Sequence, residues 1–486
     1  MMKKQIFLFG WLACLSSTAF AMAVDWAGSY RFEYTEIDKT TLTAGTGRKS
    51  YLLNHLNLSP KIVAADGINI VANFEVLGNP QYPDSQSGQQ LGLGVNRGSN
   101  NASNVNSQNQ SSTNLTVREL YLRIDQEYGE IVAGRAPVQF GLGMTYNAGR
   151  GAFDHWGDIE DMVGYRFLIG NLSIMPMVGK PFDFSPAQGS EVTDVIADIE
   201  YNNPETDSAF GLFYRTRTSS QASNDAFVAF DNQVNPKYPV PGTGSYVASG
   251  GWSTTHTNIF LSRGWESFKF KMEAGFDAGA TGVNDSGGNE VKLNGYGIAL
   301  ELDFPRPDSK LQWALRAGLA SGDNPTTTNF EAYHFDRNYD VGFLLFNHPL
   351  GSYDALTSVG QRNHDLRAAA GSGTRIPNEE ALDEEVISNA AYLSPKLSYQ
   401  MSDKWEWRNV LTYAQVQTNP SRTANNDVSK DLGWEWDTAL VYRPHERIQW
   451  VNELGFFLPG AAFKDGVNER EAAFTYGFQS KAAISF

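Results

Sequence analysis

The residues whose types suit catalysis are few and scattered. Asp154 and His155 adjoin, with Asp158 close behind, and His334 and His348 share a later stretch; the remaining histidines stand alone. Hydrolysis by a histidine–carboxylate pair needs a nucleophile or activated water, a base and an orienting acid that converge in space. The spacing offers no such set. There is no HExxH, GxSxG or phosphate loop, and Ala-Gly-Arg-Ala-Pro at 133–137 is not a Walker sequence. The single cysteine, Cys14, lies in the extreme N-terminus, which argues against a disulfide scaffold or a thiolate metal centre. No enzymatic activity, metal or cofactor is expected.

A different chemistry is written in charges that recur at every second position. From Trp26 the even positions read Trp26, Tyr30, Phe32, Tyr34, while Arg31 and Glu33 fall between them. Phe268, Phe270, Met272 and Phe276 alternate with Lys269, Lys271, Glu273 and Asp277; Trp405 and Trp407 flank Glu406 and precede Arg408; Trp434 and Trp436 interleave with Glu435 and Asp437. A two-residue period places successive side chains on opposite faces of a strand, so one face is greasy and the other charged. The charged face collects Arg31, Glu33, Lys61, Glu75, Glu119, Arg123, Arg135, Arg215, Arg217, Lys269, Lys271, Glu273, Arg316, Glu406, Arg408, Glu435, Asp437 and Glu453. Acids and bases are mixed in near-equal numbers.

Strands of this kind begin near residues 25, 51, 68, 114, 130, 162, 172, 193, 208, 256, 268, 291, 310, 386, 405, 432, 447 and 471, about 18 in all. Those near 51, 162, 172 and 256 alternate weakly. Short connections follow every second strand, at 65–67, 126–129, 170–171, 203–207, 265–267, 305–309, 402–404 and 444–446, and the ones between them are long. A bilayer offers no water to backbone groups, so a sheet crosses it only when closed on itself, with its apolar face outward and its charged face toward a wet lumen. The expectation is an all-β fold: a closed antiparallel transmembrane barrel with short periplasmic turns, long extracellular loops and aromatic girdles.

Composition agrees. A formal charge of −16 repels nucleic acid, 13% aromatic residues is too many for a disordered chain, and past the N-terminus no apolar run is long enough for a membrane helix. Lys3 and Lys4, an apolar run and the small residues Ala19, Ala21 and Ala23 read as a signal peptide over 1–23, cleaved after Ala21 or Ala23, with one barrel domain over 24–486. The address is then the outer membrane of a Gram-negative cell.

The last strand carries a family likeness. Phe478, Ile484 and the terminal Phe486 alternate with small and polar residues, which resembles the C-terminal strand of Gram-negative outer-membrane barrels; the resemblance implies that these residues form the signal read by the barrel-assembly machinery. Ser480 and Ala482 depart from the large apolar residues usual there. Two internal stretches, VRELYLRIDQEYGEIVAGRAPVQFGLG at 117–143 and LGFFLPGAAF at 454–463, resemble the alginate-export and porin-like group of 18-stranded barrels. That resemblance implies a channel, either for passive diffusion of small hydrophilic solutes or ions or for export of an anionic polysaccharide.

The mixed charge of the inward face favours the first, because a polyanion needs positive potential along its path. A structural or adhesive surface barrel with a closed bore shares every strand signal. Implied partners are outer-membrane lipid and lipopolysaccharide, the assembly machinery, the diffusing solutes, and further copies of the chain in a homo-oligomer. Within the longest connection, 322–385, the run FEAYHFDRNYDVGFLLFNHPLG at 330–351 holds more large apolar residues than an exposed loop has reason to carry. It is expected to fold into or over the mouth as a constriction or plug, with Arg337 and Asp340 near the narrowest point.

Overall fold

A barrel is what the alternation builds. The structure is a computed structural model that describes residues 23–42, 47–76, 89–90, 115–180, 192–219, 247–248, 251–284, 289–324, 327–351, 385–418, 429–464 and 472–486. The signal-peptide reading falls on residues outside this set except at Ala23, and so does 352–384 of the long connection. Eighteen long strands run in order: β1 (Ala23–Ile37), β2 (Lys49–Ala65), β3 (Ile68–Val76), β4 (Leu115–Gln126), β5 (Gly129–Pro137), β6 (Ile159–Ile169), β7 (Leu172–Gly179), β8 (Val192–Asn203) and β9 (Ser208–Ser219). They continue with β10 (Trp252–Trp265), β11 (Phe268–Asn284), β12 (Glu290–Phe304), β13 (Leu311–Ala320), β14 (Ala390–Ser402), β15 (Trp405–Val416), β16 (Asp431–His445), β17 (Ile448–Pro459) and β18 (Thr475–Ser485). Two-residue fragments at Gln89–Gln90 and Val247–Ala248 add to the same sheet.

Each strand pairs antiparallel with the next, and the ring closes where β1 meets β18, from Ser29 opposite Ser485 to Ile37 opposite Gly477. The last residue completes the seam: Phe486 N–H donates to the Gly28 carbonyl and Gly28 N–H to the Phe486 carbonyl, both at 3.0 Å. A side chain on Gly28 would strike the Phe486 ring, so the close approach there requires glycine. At one end the strands are joined by two-residue turns at 66–67, 127–128, 170–171, 266–267, 403–404 and 446–447, four residues at 204–207 and six at 305–310. Gly67 takes φ +69° in the first of these, a left-handed conformation that suits a tight hairpin.

The faces separate sharply. On β16 Trp434 and Trp436 are each 47% exposed, while Glu435 and Asp437 between and beside them are 0% and 2% exposed. Exposed apolar side chains continue round the ring, including Trp26, Phe32, Val163, Val195, Tyr296 and Leu454. Even the polar interruptions of this belt have partners. Trp407 Nε1 donates to Thr438 Oγ1 at 2.9 Å, Trp436 Nε1 to Asn409 Oδ1 at 3.3 Å and Trp450 Nε1 to Ser480 Oγ at 2.9 Å. Asn409 and Ser480, which break the apolar pattern, thus satisfy indoles from neighbouring strands, and Ala482 stands directly opposite Trp450. Trp405 stacks on Tyr442 near the turn end, and Tyr413 lies against Trp434 near the other, so aromatics mark both rims.

Removing Phe486 deletes the two backbone hydrogen bonds at the seam, each worth about 1 kcal/mol. The truncated barrel is expected to convert from its compact to its unfolded band at a lower temperature on a heat-modifiability gel, with the Gly28→Leu variant showing the same loss.

Candidate functional site

Strand register places the charged side chains. Of those read as inward-facing, all but one lie on the lumen side. The exception is Arg135. It stands opposite Leu120, which is 49% exposed on the outer face, and its guanidinium makes two 2.8 Å hydrogen bonds to Asp161 at the rim. The misplacement has a physical source: beside Glu130 the inward face of β5 carries Val132 and Ala136, apolar because they pack on a loop inside the barrel, so the two faces of that strand do not differ in polarity. A residue that alternation places outside is also found within. The register of β3 with β4 shifts between Asn73 and Phe74, and Arg118 turns inward beside Glu119, its Nη1 2.5 Å from Glu75 Oε1. Such a bulge inserts an extra residue and changes phase without an outstanding sequence mark.

Among the described residues, two long stretches of connection fold into the bore. The first, 138–158, joins β5 to β6; the second, 321–351, is the described start of the long link from β13 to β14. These hairpins stand eight strands apart in a ring of eighteen, close to diametrically opposite, and the loops meet. Asp336 N–H donates to the Met144 carbonyl at 2.6 Å, and the hydroxyls of Thr145 and Tyr333 are 2.6 Å apart. Asn338 Oδ1 accepts the N–H groups of His155 and Trp156 at 3.1 Å each, and Asn338 Nδ2 donates to the Trp156 carbonyl at 3.0 Å. Arg337 lies 4.3 Å from the Trp156 ring centroid, a cation–π contact at the junction. Burial and the facing Asp158 carboxylate push the Asp336 carboxyl well above its ordinary range, favouring its neutral form there.

The walls receive the loops through two devices. Strand carboxylates that alternation reads as water-facing instead hold loop backbone. Glu273 Oε2 accepts Leu142 N–H at 2.7 Å and Met144 N–H at 3.3 Å, and its Oε1 takes Asn258 Nδ2 at 2.6 Å. Glu435 accepts Leu344 and Leu345 N–H, both at 2.6 Å, and Asp437 Oδ2 accepts Phe343 N–H at 3.2 Å. Irregular loop has no ladder of its own, and these carboxylates supply the acceptors it lacks. The second device is a set of notches. Inward glycines leave room for loop rings: Phe140 lies over Gly211, Tyr333 over Gly275 and Gly297, and Phe343 over Gly455 and Gly477. Tyr333, Phe335, Tyr339, Phe343, Leu344 and Phe346 form one buried cluster with Met144 and Tyr392.

Arg337 and Asp340, read from sequence as constriction residues, therefore sit on the second infolded loop. Arg337 is at the loop junction; the Asp340 carbonyl accepts Arg316 Nη1 at 3.3 Å. The histidines are held by structure as well. His155 Nε2 is 3.0 Å from both Glu33 oxygens, and buried His256 sets Nδ1 2.6 Å from Asp277 Oδ1 with its ring stacked on Tyr333. Toward the turn end the lumen wall of β11 to β16 presents Lys271, Arg316, Lys396, Arg408 and Arg443, interleaved with Glu301, Asp303 and Glu406. Glu301 bridges Lys271 and Arg316, and Glu406 bridges Arg408 and Arg443, with Arg443 Nη1 2.7 Å from Glu406 Oε2. On the opposite wall Arg123 and Arg166 reach Glu130, near Asp198 and Glu200.

No protein-family model matches the sequence, and no curated protein matches it. Among solved structures the chain is similar to OpdL of Pseudomonas aeruginosa, at 8% identity over 95% of this chain and 98% of that one, with a TM-score of 0.50. The outer membrane protein OprD of the same organism aligns at 7% identity over 95% and 93% of the two chains, with a TM-score of 0.49, and the outer membrane protein opdK at 9% over 96% and 98%, with a TM-score of 0.47. At this identity the likeness to OpdL speaks for the fold, a single barrel matched along nearly the whole chain.

If the carboxylate at 435 holds the second loop, Glu435→Gln loses one charge-assisted acceptor and destabilises the loop by about 1–3 kcal/mol. The expected outcome is faster limited proteolysis within 327–351 with the barrel band on the gel unchanged. Gly477→Val, which fills the notch under Phe343, is expected to release the same segment by a route that leaves the carboxylate intact.

Proposed function

We propose that this chain is an outer-membrane channel through which small hydrophilic solutes or ions diffuse passively, narrowed by the two infolded loops. The observation that carries the reading is the junction of those loops across an eighteen-strand ring whose inner face is charged. A ring of about 18 strands is wide enough for an aqueous passage. A chain with no use for a passage has no reason to keep so polar an inner face and to span it with fastened loops. On this reading the exposed belt meets lipid and lipopolysaccharide, and Phe478, Ile484 and Phe486 on the outer face of β18 are the strand end presented to the assembly machinery.

Toward the turn end these five cations, one each on β11 and β13 to β16, outnumber the three carboxylates of β12 and β15 set among them. This wall favours the anionic groups of a passing solute, while Glu130, Asp198 and Glu200 opposite make the lumen as a whole mixed. A polysaccharide polyanion is disfavoured twice, by the mixed charge and by the loops that meet across the bore. A closed structural barrel is separated from a channel by conductance.

Reconstitution in planar bilayers with asymmetric KCl tests the proposal. Discrete conductance steps are expected; a folded barrel that never conducts at any voltage overturns the reading. Deleting 328–350 is expected to raise single-channel conductance, and an unchanged value counts against the second loop as a constriction. Lys396→Glu is expected to move the reversal potential toward cation preference without altering barrel stability.

A further inference from the structure

The hydrogen bonds that serve the indoles of the outer belt use its acceptors and leave donors over. Asn409, Thr438, Asn452 and Ser480 lie on the consecutive strands β15 to β18, and each has two apolar outward residues on either side of it. Trp405 and Trp407 precede Asn409, and Leu411 and Tyr413 follow it; Ile448 and Trp450 precede Asn452, and Leu454 and Phe456 follow it. A polar group at that depth faces hydrocarbon, which offers it no partner. The outward side of β11, with Phe270, Met272, Ala274 and Phe276, has no such interruption.

The two amides are each half used. Asn409 Oδ1 accepts from Trp436 Nε1, and Asn452 Oδ1 accepts from Ser480 Oγ at 2.8 Å. An amide oxygen has two lone pairs, so each keeps one in reserve. Among the described residues, Asn409 Nδ2 and Asn452 Nδ2 donate to nothing. The two stand at one depth, because Asn409 is the fifth residue after the turn at 403–404 and Asn452 the fifth after the turn at 446–447, on neighbouring hairpins of the same rim. Between them runs β16, which sets Thr438 beside Asn409 and Leu440 beside Asn452.

We propose that the outer face of β15 to β17 is the contact surface of a homodimer, its occupant a second copy of this chain related by a twofold axis that runs along the membrane normal past β16. Such an axis returns every residue to its own depth in the facing copy and exchanges the two sides of β16. Asn409 then meets the partner subunit's Asn452, and Asn452 the partner subunit's Asn409. Each free amide donor finds the unused lone pair of the other amide, so the two copies together satisfy all that one copy leaves open. Acyl chains bring no acceptor to this depth. A copy of the same surface brings two, at the spacing of the donors. The small side chain of Thr438 next to the axis lets the two walls approach, and the rest of the belt stays with lipid.

Counting photobleaching steps of singly labelled copies in lipid vesicles tests this without reference to conduction, so the channel reading stands or falls separately. Two-step traces are expected for the parent. Asn409→Leu with Asn452→Leu, its barrel band unchanged on the gel, is expected to weaken association by about tenfold to hundredfold, the scale of four interchain hydrogen bonds in a membrane. Cys14 is the only cysteine in the chain, so a preparation lacking the N-terminal segment has no competing thiol. On oxidation Thr438→Cys is expected to give a disulfide-linked pair, and Val195→Cys, outward on β8 across the ring, to stay single. A spin label at 438 is expected to keep its access to oxygen in vesicles that hold one copy each and to lose it as copies are concentrated. A parent that remains single at every protein-to-lipid ratio overturns the dimer, and three-step traces overturn the twofold axis. Cross-linking at 195 as strong as at 438, or association that the paired leucines leave unchanged, overturns the surface.

Discussion

A backbone polar group in hydrocarbon has nothing to bond to but another backbone, and that constraint organises everything else in this chain. It forces the sheet to close, which is why Phe486 reaches back to Gly28 across the β1–β18 seam. It also fixes which side chains may point where. Once closed, every strand offers one face to lipid and one to the lumen, and the two-residue period of Trp434, Glu435, Trp436 and Asp437 is the direct consequence.

The lumen side follows a second rule. A large barrel has an interior too wide for its own side chains to fill, and here loops from nearly opposite hairpins enter it. They bring irregular backbone into the bore, and that backbone needs acceptors. Glu273, Glu435 and Asp437 supply them, while inward glycines supply the space for Phe140, Tyr333 and Phe343. Charge on the inner face therefore serves two ends. Part of it holds the loops, and part of it, along β11 to β16, forms ion pairs on the inner wall.

All eighteen strands and the eight short turns were legible in the alternation, because lipid imposes it on every strand regardless of local context. The weak stretches have particular causes. β2, β6 and β7 carry apolar residues inward, Tyr51 and Leu53 on the first and Met162, Met175 and Met177 on the others, the last three packed against the first infolded loop; on β10 the outward face is diluted by Thr255 and Thr257. The same effect misplaced Arg135, and a bulge hid Arg118. The second infolded loop was foreseeable, since 330–351 is too apolar to be left in water. The first was not: its Gly, Asn and Asp residues read as surface, and only its contacts reveal that it crosses the bore. Nor does any local signal mark Glu273 or Glu435 as holding loop backbone, because alternation gives the face of a residue and not what covers that face.

The central claim, one greasy face and one inner face on every strand, is tested most directly by spin labels placed singly at consecutive positions 434–441 of β16 in lipid vesicles. The account predicts high accessibility to oxygen at 434, 436, 438 and 440 and low accessibility at 435, 437, 439 and 441, in a strict two-residue period. Accessibility to a water-soluble reagent that is uniform along the strand, with no such period, would contradict it.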